Sequence, residues 1–304
     1  MKAANFADRM LDACAAKGGP VCVGLDPRWE DLPARIRGGH GEDLEGRAAA
    51  VLEFNRAVIG IVAPLVPVVK PNVAFFEAMG APGFRCYLDT VAAARDAGLL
   101  VIGDVKRGDL GNTAEAYARA HFDLAGADAL TLNPYLGLDS LEPFLKRCRE
   151  DGRGCFVLVK TSNPGSADLQ DLEVGNLRVF EEVAVMVRAW AAADGMAGRR
   201  GWSAMGAVVG ATHPAEAALL RRMLPSVPFL VPGYGAQGAT AADCVPSFDA
   251  KGEGAVVNSS RGILLPWRKG PLAEKHGEAR WERAVEEATL EMRAALRAAL
   301  PKGE

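Results

Sequence analysis

The sequence predicts a single α/β domain over residues 1–304, with the fold of a closed (β/α)8 barrel, or TIM barrel. Three observations predict this fold. Short apolar runs recur along the chain, most of them are followed by an alanine-rich segment with helical periodicity, and eight such pairs fit into the 304 residues. Eight strand–helix units in a chain of this length fit a closed barrel better than an open doubly wound sheet.

The eight apolar runs are the predicted strands. They show little polar alternation, as expected for parallel strands that are buried on both faces. Most of the runs end in Gly, Pro, Asn or a charged residue, which marks the start of a loop. In chain order the runs are "VCVGLD" (21–26), "VPVVKPN" (66–72), "LLVIGDVK" (99–106), "ADALTLNP" (127–134), "GCFVLVKTS" (154–162), "MGAVVGAT" (205–212), "PFLVPGYG" (228–235) and "GAVVNSSRG" (254–262).

The segments between the runs are predicted to form the outer layer of helices. Residues 41–63 begin with acidic residues and then repeat apolar residues at three- and four-residue spacing, and residues 279–300 repeat them in the same way. A short amphipathic N-terminal helix is expected before the first strand. The long connection after strand five, about 163–203, begins with polar, Gly- and Pro-marked residues, so we expect a mobile loop there, followed by a crossover helix at about 177–193.

Composition excludes several classes of function. The net charge of -3 gives no basic surplus for a nucleic-acid backbone, and no apolar stretch approaches the roughly 18 residues of a membrane span. The six cysteines are scattered without a CxxC pair, which predicts reduced thiols and a cytoplasmic location. The four histidines show neither HxxxH nor HxH spacing, so we expect no metal site.

Polar residues follow most of the predicted strands. In a barrel of this kind the carboxyl ends of the strands and the loops after them form the active face. A single acid or base at a strand end is usually a solvated residue or a helix cap. The set as a whole predicts a site, and its members are Asp26, Lys70, Asn72, Asp104, Lys106, Asp109, Asn133, Ser162, Thr212, Gln237, Ser260 and Arg261.

Four of these residues alternate in charge. Asp104 and Lys106 are two positions apart on one strand and share a face, while Lys70 ends the neighbouring strand. Asp109 follows at a turn. We expect Lys70, Asp104, Lys106 and Asp109 to lie within hydrogen-bond reach of one another, so that each charge is neutralised by its neighbours. A buried ion-pair network without a catalytic role is the alternative explanation.

The loops after the last two strands predict a phosphate site. "NSSRGIL" places Ser260 and Arg261 where such barrels commonly bind phosphate, through backbone N–H groups and a cation. "PGYGAQG" (232–238) adds flexible glycines and the amide of Gln237. A glycine-rich loop alone is usually only a turn, but beside Arg261 it becomes a candidate phosphate-binding loop that closes on a ligand.

These motifs closely resemble the family of orotidine 5'-phosphate decarboxylases, in particular its longer bacterial branch, also called type 2. The resemblance covers roughly residues 20–265. It is carried by "VGLDPR", "KPN.AFFE", "GDVKRGD.GNTA..YA", "TLNPYLG", "VKTSNPGS", "VPGYGAQG" and "NSSRGI". It implies an enzyme of pyrimidine nucleotide biosynthesis that converts orotidine 5'-phosphate to uridine 5'-phosphate (UMP) and CO2 without a cofactor or a metal, and that works as a homodimer.

The resemblance also implies a role for each matching residue. Lys106 would donate a proton, with Lys70, Asp104 and Asp109 completing a charged tetrad in which Asp109 reaches into the partner subunit's site. The implied substrate contacts are Asp26 and Thr113 for the ribose, with Thr113 acting across the dimer, Ser162 for the pyrimidine, and Gln237 and Arg261 for the phosphate.

Two other functions remain open from the sequence. One is a Mg2+-dependent decarboxylase or aldolase that acts on a hexulose or keto-gulonate phosphate. Such an enzyme would carry an acidic metal ligand at the end of strand two, where this chain has Lys70, which repels Mg2+. The other is a barrel that binds a nucleotide without converting it. The complete set of charged residues disfavours this second alternative, although only a turnover assay decides it.

Overall fold

Eight parallel strands close into a barrel in a computed structural model of the protein, which describes residues 4–301. Each strand pairs with its neighbours in chain order, and β8 pairs with β1 through Val21 and Val257. Every predicted run overlaps one strand, so the predicted (β/α)8 fold is confirmed. The strands are β1 (Val21–Gly24), β2 (Val68–Lys70), β3 (Leu100–Arg107), β4 (Ala129–Leu132), β5 (Gly154–Lys160), β6 (Met205–Val209), β7 (Phe229–Pro232) and β8 (Ala255–Ser259).

Helices cover the outside of the barrel. The longer ones are α1 (Phe6–Lys17), α2 (Leu44–Val62), α3 (Gly80–Asp96), α4 (Gly111–Ala118), α5 (Glu142–Asp151), α6 (Val179–Ala191), α7 (Pro214–Met223) and α8 (Trp281–Ala299). A π-helical turn, Arg119–Leu124, continues α4. Shorter α-helices lie at Ala34–Arg37, Val73–Glu77, Ala167–Gln170, Ala241–Cys244, Arg261–Leu264 and Pro271–His276. Within residues 4–301, none of the helices has the length and apolar character needed to span a bilayer.

The two helices that were predicted most clearly close the barrel at its seam. Asp43 caps α2 by accepting a hydrogen bond from the N–H of Gly46 at 2.7 Å, so the helix starts at Leu44, three residues after the beginning of the predicted segment. The rings of Phe54 on α2 and Trp281 on α8 stack with their centroids 4.9 Å apart. Since both side chains are buried, this contact fixes the last helix against the second one.

Helix α1 closes the amino-terminal end of the barrel. Each strand contributes one buried side chain to the barrel interior: Cys22, Val68, Ile102, Ala129, Phe156, Val208, Leu230 and Val256. Phe6 of α1 packs edge-on against Phe156 with ring centroids 5.9 Å apart, and it fills the space above Gly154, where a Cβ would lie 2.3 Å from its ring. Because the interior is filled from this end, a ligand site belongs at the opposite, carboxyl end of the strands.

The connection after β5 differs from the mobile loop that we expected. It contains a 3-10 turn at Pro164–Ser166, a helical turn at Ala167–Gln170 and a hairpin that pairs Glu173–Val174 with Leu177–Arg178. The fully buried Lys160 at the end of β5 donates from Nζ to Asp171 Oδ1 at 2.6 Å. The segment is therefore a folded structure that is tied to the end of β5 by an ion pair between a buried lysine and a partly exposed aspartate.

Candidate active site

An open cavity of about 420 Å3 lies at the carboxyl ends of the strands. Eight of the residues that the sequence singled out line this cavity: Asp26, Lys70, Asn72, Asp104, Lys106, Ser162, Gln237 and Ser260. A second cavity of about 350 Å3 adjoins it, sharing Asp26, Gln237 and Ser260 and adding Arg261. Three of the four predicted charges and the predicted phosphate loops therefore line two parts of one depression.

Asp104 lies between two lysines at the base of the depression. Its Oδ2 accepts a hydrogen bond from Lys70 Nζ at 2.7 Å, and its Oδ1 accepts one from Lys106 Nζ at 2.5 Å. Asp104 and Lys70 are buried, whereas the side chain of Lys106 is 48% exposed. The ammonium of Lys106 is thus held at one end by a buried carboxylate and remains open to a ligand in the cavity.

The ionisation of this cluster follows from burial and the neighbouring charges. Burial raises the pKa of Asp104, but the charges and hydrogen bonds of Lys70 and Lys106 outweigh it and bring that pKa well below its ordinary value. Burial lowers the pKa of Lys70, and Asp104 and Asp26 reverse this effect and leave that pKa raised. Asp104 is therefore an anion and Lys70 a cation at neutral pH. The pKa of Asp26 is raised by its burial, which Lys70 and Ser260 offset only in part.

An irregular stretch of β3 sets the position of Lys106. The register between β3 and β4 shifts between Gly103 and Arg107. Lys106 has a φ of +45°, and in the described part of the chain it is the one residue other than glycine with positive φ. Such a left-handed conformation costs on the order of 1–3 kcal/mol and persists only where its surroundings enforce it. Strain of this kind is often found at functional sites.

Within one chain, the structure brings three of the four predicted charges, Lys70, Asp104 and Lys106, into hydrogen-bond reach of one another. Among the described residues, Asp109 forms no ion pair with Lys70 or Lys106, and its Oδ1 accepts from the N–H of Leu110 at 2.7 Å. The chain leaves the barrel after Arg107, and Gly108 packs so closely on the Asn133 carbonyl that a Cβ would lie 2.5 Å from its oxygen. This turn places Asp109 outside the cluster of Lys70, Asp104 and Lys106 in its own chain, at the outer edge, or rim, of the carboxyl end of the barrel.

Thr113 also lies on the rim, exposed in the first turn of α4. It lines neither of the two cavities. Within one chain, the predicted site therefore divides into an inner group around Asp104 and an outer pair, Asp109 and Thr113.

The loop between β7 and the next helix shapes the second cavity. Gly233, Gly235 and Gly238 have φ values of +114°, +70° and +94°, which favour glycine, and Gly235 N donates to Ala239 O at 2.8 Å. Gln237 projects from this turn. Ser260 Oγ donates to Asp26 Oδ2 at 3.1 Å, which links the two parts of the depression.

The structure also identifies residues that the sequence analysis missed. Arg28 and Asp31 line the second cavity, and Asp31 pairs with Arg28 at 2.8 Å and with Arg268 at 2.5 Å. The charged run "DPR" (26–28), separated from the end of β1 by one residue, indicates further polar residues at this edge of the barrel. Asn258 is buried on β8 and lines both cavities, while Thr131 on β4 lines the first. Both lie inside apolar runs that read as ordinary strands.

Three other polar residues from the sequence analysis have local structural roles. Asn72 Oδ1 accepts from Ala74 N at 3.2 Å and caps the Val73–Glu77 helix. Asn133 Oδ1 accepts from Tyr135 N at 3.0 Å and stabilises the turn after β4. Thr212 Oγ1 donates to the carbonyl of Ser162 at 3.1 Å, so it fixes the backbone of a predicted ligand contact.

The fold and the site define a TIM-barrel enzyme with a lysine–aspartate–lysine cluster beside a loop suited to an anion. The model of the Orotidine 5'-phosphate decarboxylase / HUMPS family matches residues 19–266. Given this match over most of the chain, the protein belongs to that family.

Individual relatives support this assignment. An orotidine 5'-phosphate decarboxylase of Rhodopirellula baltica is 43% identical over 96% of this chain and 99% of its own length. One from Clostridium kluyveri is 40% identical over 88% and 91%. Among solved structures, the Leishmania donovani OMP decarboxylase matches with a TM-score of 0.74 and 32% identity over 97% of this chain and 99% of its own. The L. donovani UMP synthase matches with a TM-score of 0.77 and 34% identity over 98% of this chain, which spans 57% of that longer protein.

Proposed function

We propose that this protein decarboxylates orotidine 5'-phosphate to UMP and CO2, the last step in making pyrimidine nucleotides de novo. The observation that carries this proposal is the Lys70–Asp104–Lys106 cluster, whose half-exposed ammonium faces a cavity adjoining Gln237 and Arg261. Family membership and the names of its relatives support the same activity. The cysteines are free thiols, which fits a cytoplasmic location.

The proposed mechanism is electrostatic. Loss of CO2 breaks the bond between C6 and the carboxylate carbon and leaves the electron pair on C6, where the pyrimidine ring delocalises it poorly. A substrate carboxylate next to the Asp104 anion is disfavoured, and this repulsion disappears as CO2 departs. The Lys106 ammonium stabilises the developing charge on C6 and then transfers a proton to it. The protein needs no cofactor for these steps in this proposal.

The remaining predicted residues would bind the rest of the substrate. We assign the ribose hydroxyls to Asp26 and, across a dimer, to Thr113, and the pyrimidine to Ser162. Gln237, Ser260 and Arg261 would hold the phosphate. These assignments rest on the resemblance and on the position of the inner residues around the two adjoining cavities.

We also propose a homodimer in which Asp109 and Thr113 complete the partner's site. Several large apolar side chains are exposed in the loops after β3 and β4, and exposed apolar side chains of this kind are often found at subunit interfaces. Leu110 is 56% exposed and Tyr135 is 80% exposed, and both follow the carboxyl ends of β3 and β4. Leu136 and Leu138, in the same loop as Tyr135, are also exposed.

The activity is tested by following the loss of the orotate absorbance of orotidine 5'-phosphate in the presence of EDTA. We expect full turnover under these conditions. No turnover, or an absolute need for Mg2+, would count against the proposal, and Mg2+-dependent turnover of a hexulose or keto-gulonate phosphate would instead indicate the sugar-phosphate lyases of the same suprafamily. Calorimetric binding of UMP without any change in absorbance would indicate a barrel that binds the nucleotide but does not convert it.

Arg261 gives a test of the phosphate assignment. We expect Arg261→Ala to raise the KM for orotidine 5'-phosphate by about 10- to 100-fold, the value of one charge-assisted hydrogen bond. Decarboxylation of orotidine, which lacks the phosphate, should be unchanged because Arg261 has nothing to bind there. An equal loss with both substrates would contradict the assignment. Arg222→Ala, at an exposed position in the last turn of α7, serves as the control.

A further inference from the structure

The backbone of Lys106 is held in its left-handed conformation by a threonine on the neighbouring strand. The backbone N–H of Lys106, the residue with a φ of +45°, donates a hydrogen bond to Thr131 Oγ1 at 2.9 Å. Thr131 is 1% exposed and comes from the apolar strand β4. Its hydroxyl therefore contacts β3 at the point where that strand departs from regular register with β4.

The same hydroxyl also binds Asp104. Thr131 Oγ1 donates to Asp104 Oδ1 at 3.0 Å, and this oxygen also accepts from Lys106 Nζ at 2.5 Å. A hydroxyl has one proton to donate, and here the proton goes to the carboxylate while a lone pair accepts the amide N–H. One side chain thus connects the backbone of Lys106 to the carboxylate that holds the ammonium of Lys106.

A buried residue on this strand could meet the needs of packing without a hydroxyl. Valine has nearly the shape of threonine and is common in strands, but it would leave the N–H of Lys106 and one hydrogen-bonding direction of Asp104 without this partner. Without this hydrogen bond, the left-handed backbone conformation of Lys106 would be less well stabilised. The ammonium would then lose part of its fixed position relative to the cavity.

We infer that Thr131 is a positioning residue for the reaction, since its hydroxyl fixes the backbone conformation of Lys106 and one oxygen of Asp104 together. The inference rests on the proposed decarboxylation. Thr131 acts through Lys106, so its loss should slow the chemical step and leave the binding of the nucleotide largely intact. A shift of about 1 Å in a catalytic group can cost on the order of 10²-fold in rate.

The test compares Thr131→Val with Thr131→Ser in the full-length protein. We expect Thr131→Val to lower kcat by about 10²-fold, with the KM for orotidine 5'-phosphate and the Kd for UMP changed by less than about threefold. Thr131→Ser keeps the hydroxyl and should retain most of the activity. The control is Thr289→Val on α8, which removes a buried hydroxyl that donates to Val285 O at 2.7 Å, far from the site, and should leave kcat unchanged.

Each outcome bears on the inference. A Thr131→Val enzyme with a near-normal kcat overturns it, as does a serine variant that is as slow as the valine variant. If the valine variant does not fold, Thr131→Cys replaces it, because a thiol is similar in size to the serine hydroxyl but forms only weak hydrogen bonds. A slow cysteine variant beside an active serine variant supports the inference. Equal rates for the cysteine and serine variants overturn it. Wild-type protein without turnover would refute the proposed function itself, which separates the two failures.

Discussion

Lys106→Ala is expected to lower kcat for orotidine 5'-phosphate by at least about 10⁴-fold, the largest effect of any single substitution in this protein. Delivery of a proton by a positioned group is worth about 10²–10⁴-fold, and stabilisation of developing charge is worth about 10²–10³-fold. Lys106 would provide both, because its ammonium is fixed by Asp104 at 2.5 Å and faces the cavity. The loss of orotate absorbance with EDTA present measures the effect.

Binding of the product should survive this substitution. Asp104 keeps its ion pair with Lys70 at 2.7 Å, and Lys106 is half-exposed, so its removal leaves no buried cation without a partner. We therefore expect a folded protein that binds UMP within about tenfold of the wild-type affinity, as measured by calorimetry. Lys146→Ala, an exposed lysine on α5, is the matched control. A Lys106→Ala protein with more than about a hundredth of wild-type kcat would contradict the proposed mechanism.

The barrel could be predicted because its strands are encoded locally. An apolar run that is followed by a helical segment indicates a parallel strand that is buried on both faces. Eight such units favoured a closed barrel over an open sheet. The position of α1 could not be predicted in this way. Its amphipathic pattern predicts a helix, but the fit of Phe6 against Phe156 and Gly154 depends on residues about 150 positions apart.

The inner site was predictable from the rule that carboxyl ends of parallel strands meet on one face. This rule brought Lys70, Asp104 and Lys106 together correctly. It does not apply to Asp109, which lies in a turn two residues after the end of β3, so that the turn rather than the strand sets its direction. Thr131 was overlooked because a threonine inside an apolar strand is an ordinary β residue until its hydrogen bonds are known.

The position of Asp109 in this turn leads to the second large effect, which depends on pairs of chains. If Asp109 completes the partner's site, Asp109→Ala and Lys106→Ala should each be nearly inactive alone, yet a mixture should recover activity. A mixed dimer places both defects in one site and leaves the other site intact. Random exchange of equal amounts makes half of the dimers mixed, so about a quarter of wild-type activity should return.

The matched control for this experiment pairs Lys106→Ala with Lys70→Ala. Both lysines contact Asp104 of their own chain, so every site in a mixed dimer carries one defect and the mixture should stay inactive. Recovery in the first mixture and its absence in the second would distinguish a site shared between subunits from a general effect of mixing. The shared site would be refuted if the Asp109→Ala mixture stayed as inactive as its components, or if sedimentation found a fully active monomer. In that case the exposed surface around Leu110 and Tyr135 would need another partner.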